Sequence, residues 1–224
     1  MYEASFYLAV IFASSVQASS SLSHIPDLYF ALDLKAPSSA KGRLDARPEA
    51  LSLISLVFHL CEAFPSQSTF YRHLRVAERF LRPNSTAYKW VSSVQASLNC
   101  RNYSRFETLT RSSRIKFVLE SLELYSTDEA VFEPHLAEMA LHSLVNSLRR
   151  KFRSVAWDIL RFAYRELNLD DQNGSASWLC RCLLLESVDK EERSIGAGDW
   201  MEQTSKTGLV ARKEGSQDRW LLKR

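Results

Sequence analysis

From Pro48 to Leu148 apolar residues return every three or four positions, interrupted only by prolines and short polar turns. That period places them on one face of successive α-helices. The chain holds only 6 Gly and 6 Pro in 224 residues, too few breakers and turn formers for a β-sandwich of this length. Pro48 fits a first helical turn. The residues after it, Leu51, Ile54, Leu56, Val57, Phe58, Leu60, Cys61 and Phe64, are apolar almost all round and predict a deeply buried helix ending at Pro65. Phe70, Leu74, Ala77 and Leu81 mark a one-faced helix over Thr69–Leu81. Ser85 or Thr86 caps the next, which carries Tyr88, Val91, Val94, Gln95 and Leu98. Tyr103, Phe106 and Leu109, then Ile115, Val118, Leu119 and Leu122, continue the spacing. A longer helix is expected from Asp128 through Leu148. Short connections make neighbours antiparallel, so a stack of helical pairs is expected, although no strict repeat is visible.

The two ends read differently. Residues 1–18 read as an apolar helix, and 19–47 as a Ser- and Pro-containing linker with one short helix near Asp27–Leu34. A signal peptide is the alternative for the first segment, with Val16, Gln17 and Ala18 as a small-residue cleavage site. Its n-region, however, offers Glu3 and no cation, and the apolar run Ser5–Ala13 is too short to span a bilayer. Toward the other end, Val155–Leu167 reads as a helix, Asn168–Gly174 as a turn and Ser175–Glu186 as an apolar helix. Gly208–Arg212 and Arg219–Leu222 flank a Gly-containing turn and read as a β-hairpin. Helices followed by a hairpin are the layout of a winged helix, expected over about 136–222. The expected division is an N-terminal helix and linker, 1–47, a helical-repeat region, 48–135, and a winged-helix region, 136–224.

Hydrophobic residues at 46% and charged residues at 25% allow an ordinary globular core. A net charge of +3 does not by itself imply a nucleic-acid partner. The local run Arg149, Arg150, Lys151 and Arg153 reads either as a solvated helix face or as a phosphate-facing patch. Cys61, Cys100, Cys180 and Cys182 lack C-x-x-C spacing, so neither a zinc site nor a disulfide framework is expected, and a reducing compartment fits. His135 and His142 share a helix face with no completing ligands. No phosphate-loop, nucleotide-binding, nucleophile-elbow or zinc-protease motif occurs. The expectation is therefore a non-enzymatic protein without cofactor or metal. Asn84, Asn102 and Asn173 open glycosylation tripeptides of a kind that arises often by chance.

The segment Ala96–Thr110 resembles a signature of the SAC/GANP family, the germinal-centre-associated nuclear protein and its fungal relatives. Asn102, Tyr103, Arg105, Phe106 and Leu109 match its "G-N-Y-x-R-F-F-x-L"-like turn, while Cys100 and Arg101 replace the small or Gly position and Glu107 replaces the second Phe. Pro48–Leu60, Ala140–Arg150 and Leu167–Leu179 resemble the helices on either side, so the resemblance covers about Pro48–Glu186. It implies a PCI-like fold: stacked antiparallel helical pairs ending in a winged helix with a small C-terminal β-hairpin. It also implies a nuclear mRNA-export or mRNA-processing scaffold, pore-associated in some members, that binds partner subunits and RNA or DNA. Arg149, Arg150, Lys151 and Arg153, with the hairpin cations Arg212, Lys213 and Arg219, would then face nucleic acid. The alternative within the fold is a subunit of the proteasome lid, the signalosome or a translation-initiation complex, cytoplasmic and acting through protein contacts alone. The family's opening Met-Cys-Pro motif and extended arm have no counterpart in residues 1–13.

Overall fold

The computed structural model describes residues 2–33, 46–122, 132–170, 174–188, 194–216 and 218–223. Over these the protein is mainly helical, with one small antiparallel sheet.

Helix α1 (Tyr2–Ile11) buries Phe6, Tyr7, Ala9 and Val10. The chain then breaks at Phe12–Ser14, with Ala13 at φ 54°, and turns into α2 (Ser15–Asp33). Residues 1–18 are thus two helices, and the second runs through 19–26, where a linker was expected, into the short helix expected near Asp27–Leu34. Serine content hid the pattern. Ala18, Leu22 and Ile25 recur at spacings of four and three and pack into the core, and this stripe outweighs the weak propensity of the serines between them. Pro26 removes one amide donor without ending the helix. The expected linker from 34 to 45 lies outside the described residues.

Helix α3 (Ala46–Ala63) is the central rod, packed against α4 (Ser68–Ala77), α5 (Thr86–Asn99) and α8 (Phe132–Ala163), with Leu53, Ile54, Leu56 and Val57 wholly buried. Phe70, Ala77 and Leu81 bury one face of α4 and the turn after it. Helices α4 and α5 run antiparallel. Gln67 meets Gln95 at one end, and the Tyr88 hydroxyl donates to Glu78 at the other. Ser85 Oγ accepts from the Tyr88 amide and caps α5, as its sequence indicates. Helices α6 (Tyr103–Leu109) and α7 (Ser112–Glu120) follow.

The expected helix start at Asp128 lies outside the described residues. Helix α8 then runs for 32 residues, about 48 Å. It absorbs most of the segment read as a separate helix from Val155. Phe152, Ala156, Trp157 and Leu160 extend the buried stripe set by Leu141, Val145 and Leu148, and no Gly or Pro interrupts it. The last part of that segment is strand β1 (Glu166–Asn168).

After β1 come α9 (Ser175–Cys182), α10 (Ala197–Ser205) and the expected hairpin, β2 (Val210–Arg212) and β3 (Arg219–Leu222). The sheet order is β1-β3-β2, with Leu167 opposite Trp220 and Val210 opposite Leu222. Val210, Trp220, Leu222 and Leu167 point into one core. Helix α9 stops short of the expected Glu186 because the chain reverses through Leu184, at φ 55°. Helix α10 falls in a stretch read as polar, where Gly196 and Gly198 mask its buried Ala197 and Met201.

Buried residues form two clusters. One joins α1 to α7 with α8 as far as Phe152, and the other joins α8 from Ala156 with α9, α10 and the sheet. Tyr103 packs against both.

Candidate nucleic-acid interface

The basic run on α8 is largely turned inward. Arg149 is 4% exposed. Its Nη1 donates to Thr110 Oγ1 at 2.8 Å and Thr110 O at 3.3 Å, and its Nη2 to Glu186 O at 3.0 Å. Burial lowers its pKa to about 10 against the pull of the nearby Glu107 and Glu186 carboxylates, so it stays charged at neutral pH. One turn on, Arg153 donates from Nε to Leu183 O and from Nη2 to Leu184 O, both at 2.8 Å. Asn146, one turn before, accepts from the Val188 amide at 3.1 Å. Residues 146, 149 and 153 are spaced three and four apart, so they share a face of α8. That face grips the backbone just past α9, where carbonyls have no helical partner. Lys151 Nζ donates to Cys61 O at 2.6 Å. Of the four cations expected to face phosphate, only Arg150 is exposed.

Of the hairpin cations Arg212 and Arg219 are exposed and Lys213 is half-buried, and all three are paired. Arg212 meets Glu202 at 2.8 Å and lies 4.8 Å from the Trp220 ring centroid. Lys213 and Arg219 converge on Glu166 of β1, at 3.0 Å and 3.8 Å. Half-exposed pairs of this kind are worth about 0–1 kcal/mol, so a phosphate could displace the carboxylates.

The Asn102–Leu109 turn does structural work. Asn102 Oδ1 accepts from the Arg105 amide at 2.9 Å and caps α6. Phe106 is fully buried, with its ring centroid 4.9 Å from that of Phe152. Leu109 O accepts from Trp90 Nε1 at 2.8 Å. The departure at Glu107 has its own partner: the carboxylate is 5% exposed and takes two hydrogen bonds from Arg111, at 2.8 and 2.9 Å. The Arg105 side chain is exposed.

A longer basic region lies outside these motifs. Between Ser68 and Phe117 ten Lys and Arg stand against two carboxylates, Glu78 and Glu107, a formal +8 where the whole chain is +3. All ten cations are exposed, whereas Glu107 is buried. The excess shows in the net charge of the region and in no run of consecutive cations.

The histidines pair otherwise than their spacing suggests. His59 and His73 stack with ring centroids 3.6 Å apart beside a cavity of ≈ 500 Å³ walled by α2, α3 and α4, with Leu22, Ile25, Leu51 and Phe80 on its lining. Burial, then the charges of His73 and Arg72, lower the His59 pKa to about 4. Among the described residues no three His, Cys, Asp or Glu are placed to hold a metal ion, and no helix is long and apolar enough to cross a membrane. Comparison with protein-family models, with curated proteins and with solved structures returns no match to this chain.

Proposed function

We propose that this chain is a non-enzymatic scaffold of the SAC/GANP type, a PCI-like helical stack joined to a winged helix, which binds partner subunits and nucleic acid in nuclear mRNA export or processing. The observation that carries the architecture is the C-terminal order helix, strand, helix, helix, hairpin, with β1 laid beside β3. The hairpin then serves as the wing and α9 and α10 as the helix pair. The antiparallel α4 and α5 supply one pair of the stack. The resemblance at Asn102, Tyr103, Arg105, Phe106 and Leu109 supports the reading, and Tyr103 of that turn packs against both cores.

Contacts to phosphate are electrostatic and release counterions, so affinity falls steeply with salt. The test is a binding titration of the full chain with labelled RNA at 50 and 200 mM salt. A Kd that rises by about tenfold or more supports the reading. No binding at the lower salt removes nucleic acid from it. One observation favours the second reading, a PCI-type subunit acting through protein contacts alone: Arg212, Lys213 and Arg219 each face a carboxylate.

A further inference from the structure

The strongest unassigned feature is the charge segregation of residues 68–117. Their formal +8 leaves the remainder of the chain at −5, since the whole carries +3. On α4 and the turn that continues it, Arg72, Arg75, Arg79 and Arg82 are all exposed. Arg72 and Arg75 share a face of α4, and Arg79 and Arg82 continue the basic stripe along the chain past the last helical residue, Ala77. Neighbours in such a stripe lie within a Debye length of one another at physiological salt, so their potentials add. The stripe starts beside the end of α5, because Gln95 Nε2 donates to the Tyr71 hydroxyl at 2.7 Å. Arg101 and Arg105, both exposed, follow six and ten residues after Gln95.

Two exposed aromatic rings in this region stand beside cations. Tyr71 is 51% exposed next to Arg72, and Phe117 is 49% exposed with the Arg114 guanidinium 5.1 Å from its ring centroid. Cations that track a backbone, alternating with rings that can stack on a base, are the chemistry of sequence-tolerant single-strand binding. A duplex offers the same phosphates but keeps its base faces stacked internally, so the rings would have nothing to engage.

We propose that the exposed surface of α4, α6 and α7 is a binding site for single-stranded nucleic acid, with Arg72, Arg75 and Arg105 on phosphates and Tyr71 and Phe117 against bases. This deepens the nucleic-acid part of the scaffold reading and rests on it, but moves the contact away from the α8 cations, which hold carbonyls, and from the paired hairpin cations.

The experiment measures binding of a fluorescein-labelled 20-nucleotide oligouridylate to the full chain across a salt series. It compares wild type, Arg72→Glu/Arg75→Glu/Arg105→Glu, the neutral set Arg72→Gln/Arg75→Gln/Arg105→Gln, and the hairpin control Arg212→Glu/Arg219→Glu. Near-ultraviolet circular dichroism confirms that each variant is folded, and the neutral set replaces the reversal set if that one is not. The expected result is a Kd raised about tenfold or more in the α4–α6 variants, with the log–log salt slope reduced by about 2, as three lost single-strand phosphate contacts require. The hairpin control stays within about twofold, and Tyr71→Leu weakens binding about fivefold or more at unchanged slope. Wild-type binding that survives the α4–α6 changes, or that falls only in the hairpin control, overturns this site and leaves the scaffold reading standing. Tighter binding of a 20-base-pair duplex overturns the single-strand assignment. Failure of the wild type to bind at 50 mM salt sinks the nucleic-acid part of the scaffold reading together with this site.

Discussion

Arg149 carries a full charge into a site that is 4% exposed, and its neighbours make that tolerable. Three hydrogen bonds to Thr110 and Glu186 replace water, and the Glu107 and Glu186 carboxylates oppose the cost of burial. Removing it leaves buried carbonyls without donors. Arg149→Ala should cost about 3 kcal/mol in urea denaturation, against about 0.5 kcal/mol or less for the exposed Arg150→Ala. The sequence could not separate these neighbours. Their residue types are the same, and the carbonyls that distinguish them lie 39 and 37 residues away in the chain. His59 gives a second test at this scale. Its folded pKa, about 4, lies below the ordinary 6.5, with His73 and Arg72 the charges facing it. Below pH 6.5 the unfolded chain therefore binds the proton more readily, and stability falls until about pH 4, where both states are protonated. The loss is bounded at about 3 kcal/mol. It should appear as a falling urea midpoint between pH 6.5 and 4 that His59→Phe flattens.

Elements were legible where a stripe of apolar residues is long and uninterrupted, as in α3, and where a cap is local, as at Ser85. They were obscured where the pattern is sparse or shared. Helix α2 shows only Ala18, Leu22 and Ile25 among serines, and β1 is three residues whose extended conformation depends on pairing with β3. The sheet depends in turn on Trp220, which is 3% exposed, sits opposite Leu167 and Arg212, and has the Arg212 guanidinium near its ring. Trp220→Ala should cost about 3–5 kcal/mol. Hydrogen exchange should then show Val210–Arg212 and Glu166–Asn168 losing protection while α3 keeps it. Equal loss in α3 would mean that the sheet is not a separate element of stability.

At the scale of the molecule, one helix carries two cores. Helix α8 serves the first core through Phe152 and the second from Ala156, and Asn146, Arg149 and Arg153 fasten the chain past α9 to it. With both cores intact, as in the wild type, the two regions should therefore unfold together. Trp90 belongs to the first core, whereas Trp157, Trp178, Trp200 and Trp220 belong to the second. In the wild type, fluorescence and far-ultraviolet circular dichroism should give coincident denaturation curves. In Arg149→Ala/Arg153→Ala the fluorescence transition should come first as the second core opens alone. The basic surface belongs to this scale as well, since only a regional charge count and exposure together separate it from a solvated helix. The most direct test of the account is photo-crosslinking of a 4-thiouridine oligonucleotide to the full chain, with the adducts mapped by peptide mass spectrometry. The account predicts adducts within residues 68–117, centred on Tyr71 and Phe117. Adducts confined to the hairpin at 208–223, or none at low salt, would contradict it.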